Sequence, residues 1–553
     1  MLTERTDMAL DADNVLKRFS SLEGKRGEYE GAWQQCADYV LPRFGKNNSK
    51  SFFIFDSTAP LALGRFSAAL ESILTPRTQK WHSLATDPAE LTRSPAVAQY
   101  LDEVRDILFA NRLAPGANFH NQMVEAYLSL GVFGTAVMLI DDQLGRGLRY
   151  QCVPLHEVYL DQNASGQVDT VFRAYQLTAR QAMTEFGDEL PESIRKDAED
   201  PTHMDRHYDF IHGVFPRRDF DRRRQDGVNL PVASLHIAKA AKKVVRESGY
   251  RVMPYAVSRF TVVPGEVYGR SPAMEAMPDI VQVNAMKKTM LRAAEKMVDP
   301  PLLTPENDVL TAFSLKAGSI NYGGLDDQGR QMVVPLQLGG NLPIGMEMIS
   351  NSREVINEAF YINLFQILVD TPQKTATEVI ERAQEKAQLL APVMGRQQSE
   401  FLMPTIDREL DILQAAGVIP PPPEELTNTG ALVHPKYETP MAAALDSRDG
   451  SAILQAFQGV AAMSQVNPQI MDIINFDEAA KIVIRSFGAP AAIQNEDEAI
   501  AQIRQARAEQ EQQQAMMEQA QMAGGAIEGL ASAEEKLSRA ATMQGGGMLV
   551  GNA

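Results

Sequence analysis

Apolar residues recur at helical steps over much of this chain, give way to partial alternation over one long interior stretch, and then return to helical steps. From Ser57 to Trp81, residues Leu61, Leu63, Phe66, Leu70 and Leu74 fall near helical spacing, and Pro76 ends the run. Residues 1 to about 140 read mainly as helices in this way. From about 132 to 270 the pattern changes. "TAVMLIDD", "LRYQCVPLHEVYLD", "DTVFRAYQL", "YDFIHGVFP" and "PYAVSRFTVV" are short, partly alternating and bordered by Gly, Asp, Asn or Pro, as strands are. The pattern predicts an α+β body in a mainly helical chain.

Two long helical patterns follow. Ser271 and Pro272 form a cap and first position, and Pro278 either kinks this helix or begins its main part. Beyond it Val283, Met286, Met290, Ala294 and Met297 make one apolar stripe opposite Lys287, Lys288, Arg292 and Glu295, and Pro300 and Pro301 end it. A second helix over "GMEMISNSREVINEAFYINLFQIL" carries Ile349, Ile356, Phe360, Leu364 and Ile367. Between the two, "GSINYGG" and "RQMVVPLQL" read as a small β insert. After the second helix the pattern breaks at "DTPQK" and restarts at once, because Thr375 and Glu378 have the spacing of a capping box. Further helix runs from Ala376, with Pro392, Gly395 and Pro404 as kink positions. Gly417 and the stiff run Pro420 to Pro423 close it. Residues 424 to about 494 carry more amphipathic helix, and from Asn495 the composition shifts to Gln, Ala, Glu and Met. That tail fits a solvated helix, a self-associating bundle or disorder.

Charge and composition narrow the function. The formal net charge of −18 over 553 residues does not invite general nucleic-acid binding, and the length implies roughly three or four domains. The 25 methionines are read as adaptable core filler. Two cysteines, Cys36 and Cys152, form no disulfide framework and suggest a reducing compartment. The N-terminus lacks the apolar region of a signal peptide, and the longest apolar stretch, Tyr127 to Ile140, is too short to span a bilayer. The chain therefore reads as soluble and made in the cytoplasm, with no membrane partner.

Candidate chemistry is sparse. "GKR" at Gly24 and "GKN" at Gly45 lack the rest of a P-loop, and no H-E-x-x-H occurs. His203, Asp205, His207 and His212 cluster in "HMDRHYDFIH"; a metal site there competes with polar residues at a strand entry. His156 and Glu157 make no better case. From Pro216 to Arg251 there are ten Lys/Arg against four Asp/Glu, a local +6 that fits either an acidic partner or a solvated face. No catalytic set emerges, and no cofactor is called for.

Four stretches, in this order and spacing, carry a resemblance: "FDSTAPLALGRFSAALESILTPRTQKW", "RFTVVPGEVYGRSPAMEAMPDIVQVN", "DPPLL" and "TATEVIERAQEKAQLLAPVMGRQQSEFLMP". The chain resembles the portal, or head-to-tail connector, proteins of short-tailed bacteriophages over roughly residues 15 to 495. The resemblance implies a ring of about twelve copies at one capsid vertex of the virion, assembled in the host cytoplasm around a channel for double-stranded DNA. It assigns residues 1–268 to a wing, 269–299 and 345–368 to two stem helices, and 300–344 to a clip. Residues 376–423 become a long kinked helix of wing or crown, 424–494 a crown, and 495–553 a barrel helix or a disordered tail. The break at Val369, Asp370, Thr371, Pro372, Gln373 and Lys374 becomes a tunnel loop facing DNA, with the Thr375 and Glu378 caps behind it. Lys374 could then meet phosphates without reading sequence, and Asp370 would limit that grip. Stem packing would fall to Val283, Met286, Met290, Met297, Ile349, Ile356, Phe360 and Leu364. The implied partners are other copies, the terminase that supplies ATP hydrolysis, major capsid and scaffolding proteins, and adaptor or tail proteins. Two rivals remain: a metal-dependent DNA-processing enzyme using His203 and His207, and a helical scaffold resting on the tail.

Overall fold

A computed structural model of the chain describes residues 11–41, 54–88, 91–142, 147–298 except 222 and 225, 342–366 and 390–437. It also describes 302–303, 325, 328–331, 334–335, 452–460, 474–486, 499–514, 516–517 and 536. The chain divides into two compact units rather than three or four. One comprises Met1–Asp87 with Tyr100–Asp449, the other Pro88–Gln99 with Gly450–Ala553.

The first unit opens with α1 (Ala12–Val40), which buries Val15, Phe19 and Leu22 at helical spacing. These residues lie on one face of an antiparallel five-stranded sheet in sequential order: β4 (Val158–Gln162), β5 (Val168–Thr178), β6 (His207–Pro216), β7 (Val232–Ala238) and β8 (Lys243–Tyr250). Phe172, Ile211, Phe215, Leu235 and Ile237 supply the sheet side of that core. The opposite face packs Phe210, Ala238 and Val245 against α5 (Ala179–Phe186) and α6 (Glu192–Glu199). A capping box of Thr178 and Gln181 starts α5, each side chain accepting from the other residue's backbone N–H. The alternation along β6 therefore has two buried faces, not one. The hairpin β7–β8 was hidden by its charges: the basic stretch read as one block contains both strands.

A second layer surrounds a three-stranded sheet of order β3–β2–β9, where β2 is Thr135–Asp142, β3 Leu148–Val153 and β9 Tyr255–Arg259. "LRYQCVPLHEVYLD" thus splits between two sheets, with a short 3₁₀ turn at Leu155–Glu157 between them. Helix α4 (Phe119–Phe133) feeds β2 through Gly134 at φ 72°, where an added Cβ would lie 2.4 Å from Gly269 O. Helix α2 (Thr58–Leu74) buries Leu63, Phe66, Leu70 and Leu74, whereas Leu61 faces solvent. Strand β1 (His82–Thr86) pairs with a distant β12 (Val433–Tyr437), a strand no sequence pattern announced.

One ion pair is withdrawn from water within this layer. Arg112, on α3 (Pro95–Leu113), meets Glu409 on a late helix, α11 (Met403–Ala415), at 2.5 Å, with side-chain exposures of 1% and 0%. Tyr150 also donates to Glu409, and Arg112 donates to His82 Nε2 at 2.6 Å. Burial and the adjacent guanidinium hold His82 neutral, which leaves Nε2 free to accept. Trp81, Phe109 and Phe119 ring the guanidinium at 4.7 to 5.6 Å.

The second unit shows helical residues 452–460, α12 (Phe476–Ser486) and residues 499–514. Phe457 stacks on Phe476 at 5.4 Å, and Arg504 pairs with Asp477. Residues 501–514 are helical and exposed. No described helix is long and apolar enough to cross a membrane.

Glu409→Gln leaves Arg112 buried without its counter-charge. We expect a loss of about 3–5 kcal/mol, read as a lower urea midpoint at constant slope. A shift worth less than about 1 kcal/mol would remove this pair from the framework.

Candidate functional site at the root of two paired helices

The two long helical patterns form α8 (Met277–Val298) and α9 (Leu342–Ala359). Ahead of them Ser271 caps a short α7 (Pro272–Glu275), accepting from Met274 N at 3.0 Å, and α8 starts one residue before Pro278. The pair is antiparallel. Gly345 lies beside Met290 at one level, and Arg353 shares a partner with Lys287 at the next.

That shared partner is Asp56. Its carboxylate receives Lys287 at 3.2 Å from α8 and Arg353 at 2.5 Å from α9, and it caps α2 through Thr58 N at 2.9 Å. Asn284 on α8 accepts the backbone N–H groups of Phe55 and Asp56 at 2.9 and 3.1 Å. Asp56 is itself buried. Burial alone would raise its pKa, but the hydrogen bonds from Thr58, Arg353 and Lys287 outweigh it and hold the carboxyl well below its usual range.

The apolar stripes start inside the subunit and run out of it. Val283, Ile349, Ile356 and Phe360 are buried; Met286, Met290 and Leu364 are half-buried. Met297 is 59% exposed and Val298 87%, and on α9 Ile344 and Met346 are 54% and 63% exposed. Phe360 packs edge-on to Phe66 of α2. The helix expected to continue through it breaks there instead. Tyr361 has φ 58°, and a separate α10 (Ile362–Gln366) follows. No Gly or Pro marks this break.

Residues Val369, Asp370, Thr371, Pro372, Gln373, Lys374, Thr375 and Glu378 lie outside the described residues, as do most of the β insert's. Within the insert, β10 (Leu302–Leu303) pairs with β11 (Val334–Pro335), and a bridge joins Leu325 to Gln331. The chain is described again from residue 390, helical to 396. It passes through a π-turn at Gln397–Leu402 into α11. Pro404 has no N–H to offer the carbonyl of residue 400, and the wider π pattern accommodates that loss. Buried Gln397 bonds to Ser258 Oγ and to Arg259 O, and Glu400 takes a two-pronged pair from Arg259 at 2.9 Å.

The other candidate chemistry disperses. His203 pairs with Asp200 in an exposed turn, and His207 opens β6 rather than sharing a helix face with it. His212 is buried further along β6, stacked on His236. Among the described residues no three His, Cys, Asp or Glu side chains converge to hold a metal. The basic block divides as well. Arg217 pairs with Glu247, while at the far end of β7 Lys242 meets Asp13 and Lys243 donates to Glu189 O.

Sequence reasoning missed Asp56, Asn284 and Arg353. The one available signal was Asp56 two residues ahead of Thr58, the spacing of a helix-start cap.

Comparison with known proteins identifies the family. The pattern of the bacteriophage head to tail connecting protein family matches residues 12–494. The chain belongs to that family of phage head-to-tail connectors. It is 27% identical over 523 residues to the probable portal protein of Bordetella phage BPP-1, covering 92% of this chain and 93% of that one. It is 26% identical over 518 residues to the portal protein of Salmonella phage epsilon15, covering 91% and 92%. A chain in the virion of a gene transfer agent particle aligns over 82% of this chain and 92% of its own at 10% identity, with a TM-score of 0.33; a likeness that loose carries no argument.

Asp56→Asn removes the charge shared by Lys287 and Arg353. We expect a loss of about 2 kcal/mol at neutral pH. A carboxyl with a lowered folded pKa stabilises above its unfolded value near 3.8 and loses that contribution as pH falls through the folded one. The gap between the two proteins should therefore hold from pH 7 to about 4 and close below, measured by urea unfolding at each pH.

Proposed function

We propose that this chain is the subunit of a portal ring, of about twelve copies, through which double-stranded DNA enters and leaves a phage capsid. The observation that carries the reading is the pair α8–α9 in a chain of this family. Rooted at Asp56, the pair extends apolar side chains beyond what its own subunit can cover. In a ring, the neighbouring pair covers them, helix against helix. On this reading residues 1–268 form the wing, α8 and α9 the stem, and 300–344 the clip that docks the terminase and then tail proteins. Residues 369–375 form the loop at the channel, and 424–494 the crown. Capsid and scaffolding proteins meet the outer surface.

The charge balance supports a conduit. An excess of 18 negative charges per subunit keeps most of the surface from holding DNA, and strands slide best where contact is weak. Lys374 is the cation proposed to touch phosphates in passing, with Asp370 beside it. The reading is non-enzymatic, and a separate protein would hydrolyse ATP. The metal-enzyme rival loses its motive with the separation of His203 and His207.

The first test is the solution mass of the purified chain, with negative-stain images of the same sample. A closed ring with a central hole at about twelve times 60.9 kDa is expected. A monomer that binds metal and cuts DNA would sink the reading. Phe360→Asp buries a charge where the stem meets α2 and should abolish ring formation; rings of normal yield would count against the stem assignment. Lys374→Ala should assemble normally and change DNA retention or packaging, measured as packaged DNA per particle. Unchanged packaging would take Lys374 out of the mechanism.

A further inference from the structure

Antiparallel pairing brings four basic side chains into one row across the five-stranded sheet. Arg173 on β5 lies opposite His212 on β6, His212 opposite His236 on β7, and His236 opposite Arg246 on β8. Residues directly opposite one another point to the same face of a sheet. This face carries α5, whose Phe186 ring centre lies 5.3 Å from that of His236. His212 is buried and His236 half-buried. The two imidazoles are stacked, with ring centres 4.0 Å apart and planes 6° from parallel. A fixed cation thus stands at each end of the histidine pair.

The pair also ties the two sheets together. His212 Nδ1 meets Tyr255 Oη of β9, in the three-stranded sheet, at 2.8 Å, and its Nε2 meets Ser234 Oγ at 3.0 Å. His236 Nδ1 meets Tyr175 Oη at 3.1 Å. A neutral ring donates from one nitrogen and accepts at the other, whereas a protonated ring donates from both. Protonating His212 therefore deprives one hydroxyl partner of its acceptor and obliges that hydroxyl to turn. Among the described residues no carboxylate hydrogen-bonds to either ring. Of the acids around the cluster, Glu157 is taken by Arg173 at 2.8 Å, while Glu185 on α5 bears on Tyr175 and Asp141 on β2 bears on Tyr255. Tyr250 on β8 shares Ser234. Burial, the neighbouring ring and the two guanidiniums hold His212 well below the usual histidine range. Burial and the same two cations push His236 down to about 3.

We propose that this row is an acid-sensitive latch between the two sheets: protonation of His212 and His236 sets four cations side by side across β5 to β8 and releases the contact with Tyr255. At neutral pH the imidazoles are uncharged and the latch is closed. Once opened, the rings take up protons below their ordinary value of 6.5, whereas the closed row resists protonation of His236 down to about pH 3. Closure therefore weakens as pH falls between these values. For each histidine, one pH unit in this window shifts the equilibrium up to about tenfold toward the open form. The latch does not depend on the ring reading.

Hydrogen exchange of the full-length chain, followed by mass spectrometry at pH 7 and pH 5 and corrected for the intrinsic effect of pH, tests the latch. Peptides from β6 and β7 should open about tenfold more often at pH 5, while peptides from α2 stay unchanged. His212→Gln combined with His236→Gln removes both titrating rings and should abolish the acid effect. Arg246→Gln changes an exposed side chain, so it serves even where the double variant fails to fold. Removing that cation should cut the acid effect about threefold. The absence of faster exchange at pH 5 overturns the proposal, as does an acid effect that persists in the double variant or is unmoved by Arg246→Gln. Equal acceleration in α2 would mean global acid unfolding and overturns it as well.

Discussion

One buried carboxylate sets the geometry on which the rest of the subunit depends. Asp56 sits at the start of α2 and is held by one cation from each of the paired helices. A charge removed from water is tolerated only when its partners are close and well aligned. That requirement fixes both the level and the rotation of α8 and α9 against the body. Asn284 repeats the constraint through the backbone, because its single oxygen accepts two adjacent N–H groups. Phe360 then closes the same joint from the apolar side, edge-on to Phe66.

The return of the chain into the body is fixed by a second set of withdrawn charges. Arg259 grips Glu400 and Arg112 grips Glu409, on successive stretches of one helical segment. A π-turn lies between residue 396 and α11, next to a proline that cannot donate. The wider turn rotates the residues before it relative to those after it. Gln397 consequently faces the edge of β9 and bonds there to Ser258 and Arg259. The stretch that precedes residues 369–375 and the stretch that follows them are thus both anchored to the same body.

The chain belongs to the head-to-tail connecting family, and the buried charges among its described residues join its elements. Among the described residues, Glu409 joins α11 to α3 through Arg112, and Asp56 joins α2 to α8 and α9 through Lys287 and Arg353. Removing one partner of such a buried pair is costly, because the other charge is left without compensation away from water.

Much of the architecture was legible in the sequence because it follows from local periodicity. The steps Leu63, Phe66, Leu70 and Leu74, the Ser271–Pro272 cap, the stripe through Val283 and the stripe through Ile349 and Ile356 each lie within one element. Neighbouring residues are enough to define them. The order of the quoted motifs was also enough to identify the family. What the sequence could not disclose is whatever rests on contacts between distant residues. Asp56 meets Arg353 across 297 positions, as Arg112 meets Glu409, and no local pattern marks such pairs. The same holds for β12 beside β1, for the helix break at Tyr361, and for a basic stretch that folds into a hairpin with its charges at opposite ends. Periodicity decided which surfaces had to be buried. Only the tertiary structure decided against what, because desolvation and close packing act on neighbours in space.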